Sequence, residues 1–170
     1  MGRADQGLNK NRQRYHVLPR TLSFVFREGE VLLLRGGPQK GSWAGRYNGV
    51  GGHIERGEDL LESARREIRE ETGLEVTSLT LCGIVHTDAG DPQTGILLFV
   101  LRADAEDGRV RESEEGSLHW VAVEDLKSVD LLEDLPVILP KVLSMPTQGP
   151  PFIGTYRYAD DDRLEISFSH

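Results

Sequence analysis

Gly52-His53-Ile54-Glu55-Arg56-Gly57-Glu58-Asp59-Leu60-Leu61-Glu62-Ser63-Ala64-Arg65-Arg66-Glu67-Ile68-Arg69-Glu70-Glu71-Thr72-Gly73-Leu74 is the stretch on which the reading of this chain turns. Leu60, Leu61, Ala64 and Ile68 recur at helical spacing and form one apolar stripe. Glu58 and Asp59 fall where a first turn favours acids, and Gly73 falls where a helix stops. The pattern predicts a helix over 58–72. Glu67, Glu70 and Glu71 stand three and four residues apart, so they project from one side of it. Such a face, taken alone, reads most simply as solvated acids paired with Arg65, Arg66 and Arg69.

Upstream, His16–Phe26 alternates at Leu22, Phe24 and Phe26, and Val31–Leu34 follows a turn at Glu28-Gly29-Glu30. This predicts a two-stranded hairpin. Gly36–Gly52 is a glycine-rich connection with seven glycines, long enough to suggest function rather than mere linkage. Downstream, 79–85, 96–101 and 118–123 read as strands. A second helix is expected over 135–143, with Pro136 suited to its first turn and Pro140 expected to kink or end it. Phe152–Phe168 reads as a terminal hairpin. Mixed strands and helices place the chain in the α/β (α+β) class, with residues 1–15 as a disordered tail and 16–170 as one domain.

The 170 residues carry 20 Lys+Arg against 28 Asp+Glu, a formal charge of −8. That balance argues against a nucleic-acid polymer or a membrane surface as partner. No apolar run is long enough to cross a bilayer, and the polar first fifteen residues lack the apolar core of a secretory signal. One cysteine, Cys82, excludes an intramolecular disulfide and is consistent with the expected cytoplasmic location. His53 and His86 have no partners at zinc spacing.

Clustered carboxylates repel, and their pKa values rise unless a cation sits among them. Mg²⁺ takes hard oxygen ligands, often one or two carboxylates with water and substrate phosphate. One helix face with three glutamates can therefore bind Mg²⁺, or Mn²⁺ in its place, against a diphosphate.

Gly52, Glu58, Arg66-Glu67-Ile68, Glu70-Glu71 and Gly73-Leu74 match nine defined positions over twenty-three residues. In this the chain resembles the Nudix hydrolases. The resemblance implies a mixed β-sheet sandwiched between helices and Mg²⁺-dependent cleavage of a nucleoside diphosphate derivative. It implies Gly51 (through its carbonyl), Glu67, Glu70 and Glu71 as the metal ligands. It implies an ion pair between Glu58 and Arg66 that fixes the loop onto the helix. The general base is left open between Glu70, Glu71 and a later-loop carboxylate. Among the latter, Glu115 is preferred over Glu114, although Arg111–Glu115 also reads as a solvated acidic loop.

Trp43–Gly52 and the terminal hairpin resemble the oxidised purine nucleoside triphosphatases, the MutT-like subgroup. By that resemblance Asn48 hydrogen-bonds a purine and Asp134 contacts an oxidised base, with an 8-oxo-dGTP-like substrate yielding monophosphate and pyrophosphate. Asn48 read by itself is equally a loop residue capping its own turn. Arg35 and Lys40 are candidates for the phosphate tail. The subgroup's purine-stacking tryptophan falls near Leu132, where this chain has a poor stacking residue. Alternative substrates are ADP-ribose, a dinucleoside polyphosphate or another nucleotide conjugate. A non-catalytic nucleotide sensor is the remaining alternative, and a monomer or homodimer is expected.

Overall fold

The computed structural model describes residues 14–111, 113, 115–146 and 149–169. The strands are β1 (His16–Arg27), β2 (Glu30–Gly36), β3 (Tyr47–Asn48), β4 (Val76–Asp88), β5 (Thr94–Ala105), β6 (Gly116–Ala122), β7 (Phe152–Tyr158) and β8 (Leu164–Ser169). The helices are α1 (Leu60–Thr72) and α2 (Leu135–Ser144). The sheet runs β3-β2-β1-β5-β4-β7-β8, and β6 pairs with β2.

The expected first hairpin is present. Its turn is tight because Glu28 (φ 50°) and Gly29 (φ 84°) both take positive φ between the paired Arg27 and Glu30. That is the backbone twist a two-residue hairpin needs. The main partner of β1 is nevertheless β5, parallel to it from His16↔Thr94 to Phe26↔Asp104. This places β1 at the centre of a mixed sheet. Its alternation then feeds two cores. Leu22, Phe24 and Phe26 pack with Leu135, Ile138, Leu139 and Val142 of α2. Val25 packs with Ile68 of α1, Leu32, Val50 and Leu74. The sheet therefore lies between helices, and a fully buried side chain such as Ile68 contributes about 1.5–3 kcal/mol of transfer free energy.

Four expectations need correction. Helix α1 starts at Leu60. Asp59 is its N-cap, with its carboxylate accepting from the Leu61 and Glu62 amides while Glu62 bonds back to the Asp59 amide. This capping box fixes the boundary and leaves Glu58 outside the helix. Pro140 does not end α2, which continues to Ser144. The proline deletes one hydrogen bond, but the helix buries four side chains on one face, and tertiary packing dominates helix stability. The later strands are longer than their apolar runs, because ladder pairing carries polar residues beyond the core. The expected tail reaches too far. Residues 1–13 lie outside the described residues, but the Tyr15 hydroxyl meets Nε2 of His86 at 2.7 Å and its ring sits edge-on to the imidazole.

Candidate active site

The loop 49–53 runs beside β1, with Ser23 bridged to Val50 and Arg20 to His53. Thr21 donates its amide to the Gly52 carbonyl at 2.9 Å. There is no room for side chains on this track. A Cβ on Gly51 would stand 2.0 Å from the Thr21 carbonyl oxygen, and one on Gly52 would stand 2.3 Å from Oε1 of Glu67. The glycines let the backbone press between β1 and the carboxylate face of α1.

Arg66 organises that face. Its Nε and Nη2 grip the two carboxylate oxygens of Glu58 at 2.6 and 3.0 Å, a fork-to-fork pair. Nη2 also donates to the His53 carbonyl, while Nη1 reaches Glu67 at 2.9 Å and Glu70 at 3.1 Å. One guanidinium thus fastens the loop to α1, as the expected Glu58–Arg66 pair requires. The hydrogen bond from Arg66 holds the Glu58 carboxyl down at about 2. The helix ends at Gly73 in the left-handed region (φ 78°), its amide donating to the Arg69 carbonyl. Arg111 closes the same end by donating to the carbonyls of Glu70 and Thr72.

Glu71 points the other way, into a cleft of about 680 Å³. Burial, with the charges of Glu115 and Glu67 behind it, pushes its carboxyl up to about 8, while the Gly51 backbone pulls in the opposite direction. Oε2 of Glu71 is buried without a hydrogen-bond partner. Lys40 reaches Glu115 at 2.8 Å across the same cleft.

The cleft gathers Lys40, Asn48, Gly51, Gly52, Glu67, Glu71, Glu115 and Asp134. Two expected site residues are not on its wall. Glu70 is turned to Arg66, and its side chain is 56 % exposed. Arg35 donates to the Gly45 carbonyl at 2.9 Å and lies beneath the Tyr47 ring, beside a separate shallow depression. Of the two expected cations, Lys40 and not Arg35 lines the cleft, which Arg20 borders as well. Glu114 lies outside the described residues.

The donor set fits a hard divalent cation. It offers an orphaned buried carboxylate oxygen on Glu71, the Glu67 carboxylate in the cradle that Gly52 keeps open, and Glu115 nearby. Among the described residues no three such groups yet converge on one point, since Arg66 holds Glu67 and Glu70. A bound cation would compete with that guanidinium for the same oxygens.

At the other end, β3 is stitched to the segment before α2. Tyr47 donates to the Asp130 carbonyl at 2.8 Å, and Leu132 donates back to Tyr47 at 3.0 Å. Arg46 reinforces the junction through the Leu131 carbonyl and Glu133. Asn48 and Asp134 thereby line the same cleft. Oδ1 of Asn48 accepts the Gly49 amide at 2.8 Å, so its amide group remains as the free donor. Asp134 sits at the N-cap of α2 without capping it. Burial raises its carboxyl, and the nearby Tyr156 hydroxyl, itself without a hydrogen bond, opposes that rise.

Sequence reasoning missed part of the lining: Thr21, Glu133 and, from the terminal hairpin, Tyr156, Tyr158 and Leu164. Period-two alternation along β7, Gly154-Tyr156-Tyr158, is the signal that could have found the tyrosines.

A mixed sheet between two helices, with acidic side chains of α1 and glycine backbone converging on one cleft, defines a hydrolase of phosphoanhydrides. The NUDIX domain family matches residues 18–143, and the chain belongs to that family. It is 33% identical over 150 residues to a mouse (Mus musculus) protein named oxidized purine nucleoside triphosphate hydrolase, covering 88% of this chain and 91% of that one. The zebrafish (Danio rerio) protein of the same name is 30% identical over 142 residues, covering 84% and 87%. A MutT protein from Bacillus halodurans superposes with a TM-score of 0.75 at 27% identity, over 90% of this chain and 98% of that one. The chain is a MutT-like Nudix hydrolase, a nucleotide diphosphatase. Among the described residues no helix is long and apolar enough to cross a membrane.

Proposed function

We propose that this enzyme hydrolyses a purine nucleoside triphosphate, with an oxidised base preferred, to the monophosphate and pyrophosphate in a Mg²⁺-dependent reaction. The observation that carries the reading is a single cleft with acidic groups at one end and Asn48 with Asp134 at the other. Proteins of the mouse and zebrafish name support the substrate class. Glu67, Glu71, the Gly51 carbonyl and, after leaving Arg66, Glu70 would hold the metal, which supplies charge neutralisation of the phosphates and acidification of a water.

The chain's own groups do the rest. Lys40 takes the distal phosphates in exchange for Glu115, leaving that carboxylate free to accept the proton of the attacking water. The free Asn48 amide donates to an acceptor on the base. The Asp134 carboxyl, raised by burial, keeps its proton more readily than an exposed aspartate and can donate to a base oxygen. Leu132 and Leu98 exclude water from the apolar part of the cleft.

A panel of 8-oxo-dGTP, dGTP, ADP-ribose and dinucleoside polyphosphates, each with Mg²⁺, tests this. Pyrophosphate release, fastest from 8-oxo-dGTP, is the expected outcome. Preferential release of AMP from ADP-ribose overturns it.

A further inference from the structure

The cleft has an aromatic wall that neither the Nudix motif nor the matched domain contains. The domain match ends at residue 143, whereas Tyr156 and Tyr158 follow on β7. They are two residues apart, so they lie on one face of the strand, and both line the cleft. Tyr156 is 4% exposed and closes the floor; Tyr158 is 50% exposed and stands at the rim. Leu164, paired with Tyr158 across the hairpin, lines the cleft as well. Tyr158 shares the cleft lining with Leu132, Glu133 and Asp134 of the base-reading segment. Leu132 on that segment has no π face to offer.

We infer that Tyr158, supplied by the terminal hairpin, is the surface on which the nucleobase stacks, and that it is a determinant of nucleotide affinity in this enzyme. The inference rests on the purine nucleoside triphosphate reading above. A half-exposed aromatic ring at a cleft rim offers a flat apolar face to a ligand in that cleft. A flat base covers it without demanding hydrogen bonds, and leaves Asn48 and Asp134 to read the edge. The β7–β8 pairing from Ile153↔Ser169 to Tyr158↔Leu164 holds the ring in place. Lys141 of α2 adds a second restraint, its ammonium 4.0 Å from the centre of the Phe168 ring on β8.

Base–aromatic stacking lost to alanine typically corresponds to a factor of about 5–150 in affinity. The test measures steady-state kinetics of full-length Y158A, Y158L and Y158F on 8-oxo-dGTP and dGTP, together with inhibition by tripolyphosphate, which has no base. Y158A and Y158L are expected to raise KM about 5–150-fold while kcat changes less than about threefold, with the tripolyphosphate inhibition constant unmoved. Y158F restores a ring and should recover most of the loss. Y158L keeps the bulk that packs on Leu164, so a folding defect in Y158A cannot mask the answer. In the Y158A background, L132W should regain affinity by offering a ring from the opposite segment.

A KM within twofold of the parent for both Y158A and Y158L overturns the inference. So does an equal loss for tripolyphosphate, which would make Tyr158 a support for the whole cleft rather than a base platform. If the parent itself releases no pyrophosphate from any nucleoside triphosphate, the substrate reading fails first and this inference falls with it.

Discussion

The two ends of the cleft are built in opposite ways. Most of the acidic end comes from one continuous stretch, Gly51–Gly73, tied together by Arg66 through six acceptors on five residues, with Glu115 added from a later loop. The base end comes from three separate stretches around Asn48, Leu132–Asp134 and Tyr156–Leu164, joined by ladder and loop hydrogen bonds. The acidic end is braced by one shared guanidinium, which leaves the buried Oε2 of Glu71 as its unpartnered oxygen. The base end depends on tertiary pairing, and its polar groups, Asp134 and Tyr156, are left underused inside the fold. Chemistry is fixed locally, while selectivity is assembled from a distance.

That contrast can be broken from either side. The largest effect is expected from E71Q, which removes the charge of the buried carboxylate and should lower kcat on the preferred nucleotide by ~10²–10⁴-fold, the range seen when a positioned acid, base or metal ligand is lost. Single-turnover kinetics at saturating Mg²⁺ check this; a kcat within tenfold of the parent removes Glu71 from the machinery.

The glycines separate architecture from ligation. In G52A the new Cβ meets the flexible carboxylate of Glu67, so the thermal midpoint should hold while apparent Mg²⁺ affinity falls ~10–100-fold. In G51A it meets the backbone carbonyl of Thr21, which cannot yield cheaply, so stability itself should fall by ~1–3 kcal/mol. Paired Mg²⁺ titrations and melting curves read both; equal melting losses would show that the two glycines do one job.

At the base end, D134N should raise KM for 8-oxo-dGTP by ~10-fold with little change in kcat, since one partly buried hydrogen-bonding group is changed and the acidic end is untouched. Competition between 8-oxo-dGTP and dGTP measures the shift, and an unchanged preference would remove Asp134 from base reading.

The smallest effect concerns pH. The Glu58 carboxyl is held near 2, below its unfolded value, so the stability it confers is complete above about pH 4.5 and is lost as pH falls toward 2. E58Q should therefore melt below the parent at pH 6, and the gap should narrow steadily from pH 4.5 downward. A gap that is constant over this range would mean that the carboxylate charge is not what binds Arg66.

The same contrast explains what could be read from the sequence. The helix, its carboxylates and the Glu58–Arg66 pair were legible because their geometry is local: helical spacing and a cap suffice to place Glu67, Glu70 and Glu71 on one side. What spacing could not show is that Arg66 turns Glu70 outward while Glu67 and Glu71 line the cleft. Arg35 was misplaced as a phosphate ligand for a related reason. Its direction follows from the pairing of Arg35 with Tyr47 across β2 and β3, a two-residue ladder too short to leave a pattern. The parallel pairing of β1 with β5 joins residues distant in the sequence, from His16↔Thr94 to Phe26↔Asp104, and was equally invisible. The tyrosines of β7 did carry a period-two signal, but only the register of β7 on β4 decides which face meets the cleft.

The central claim is that the acidic face of α1 gathers a divalent cation against a phosphoanhydride. Crystals soaked with Mn²⁺ and a non-hydrolysable purine nucleoside triphosphate analogue, with anomalous diffraction recorded, test it most directly. The account predicts an anomalous peak with Glu67 and Glu71 in its first coordination sphere and the phosphates on its far side. A peak elsewhere in the cleft, with those carboxylate oxygens still held only by protein groups, would contradict it.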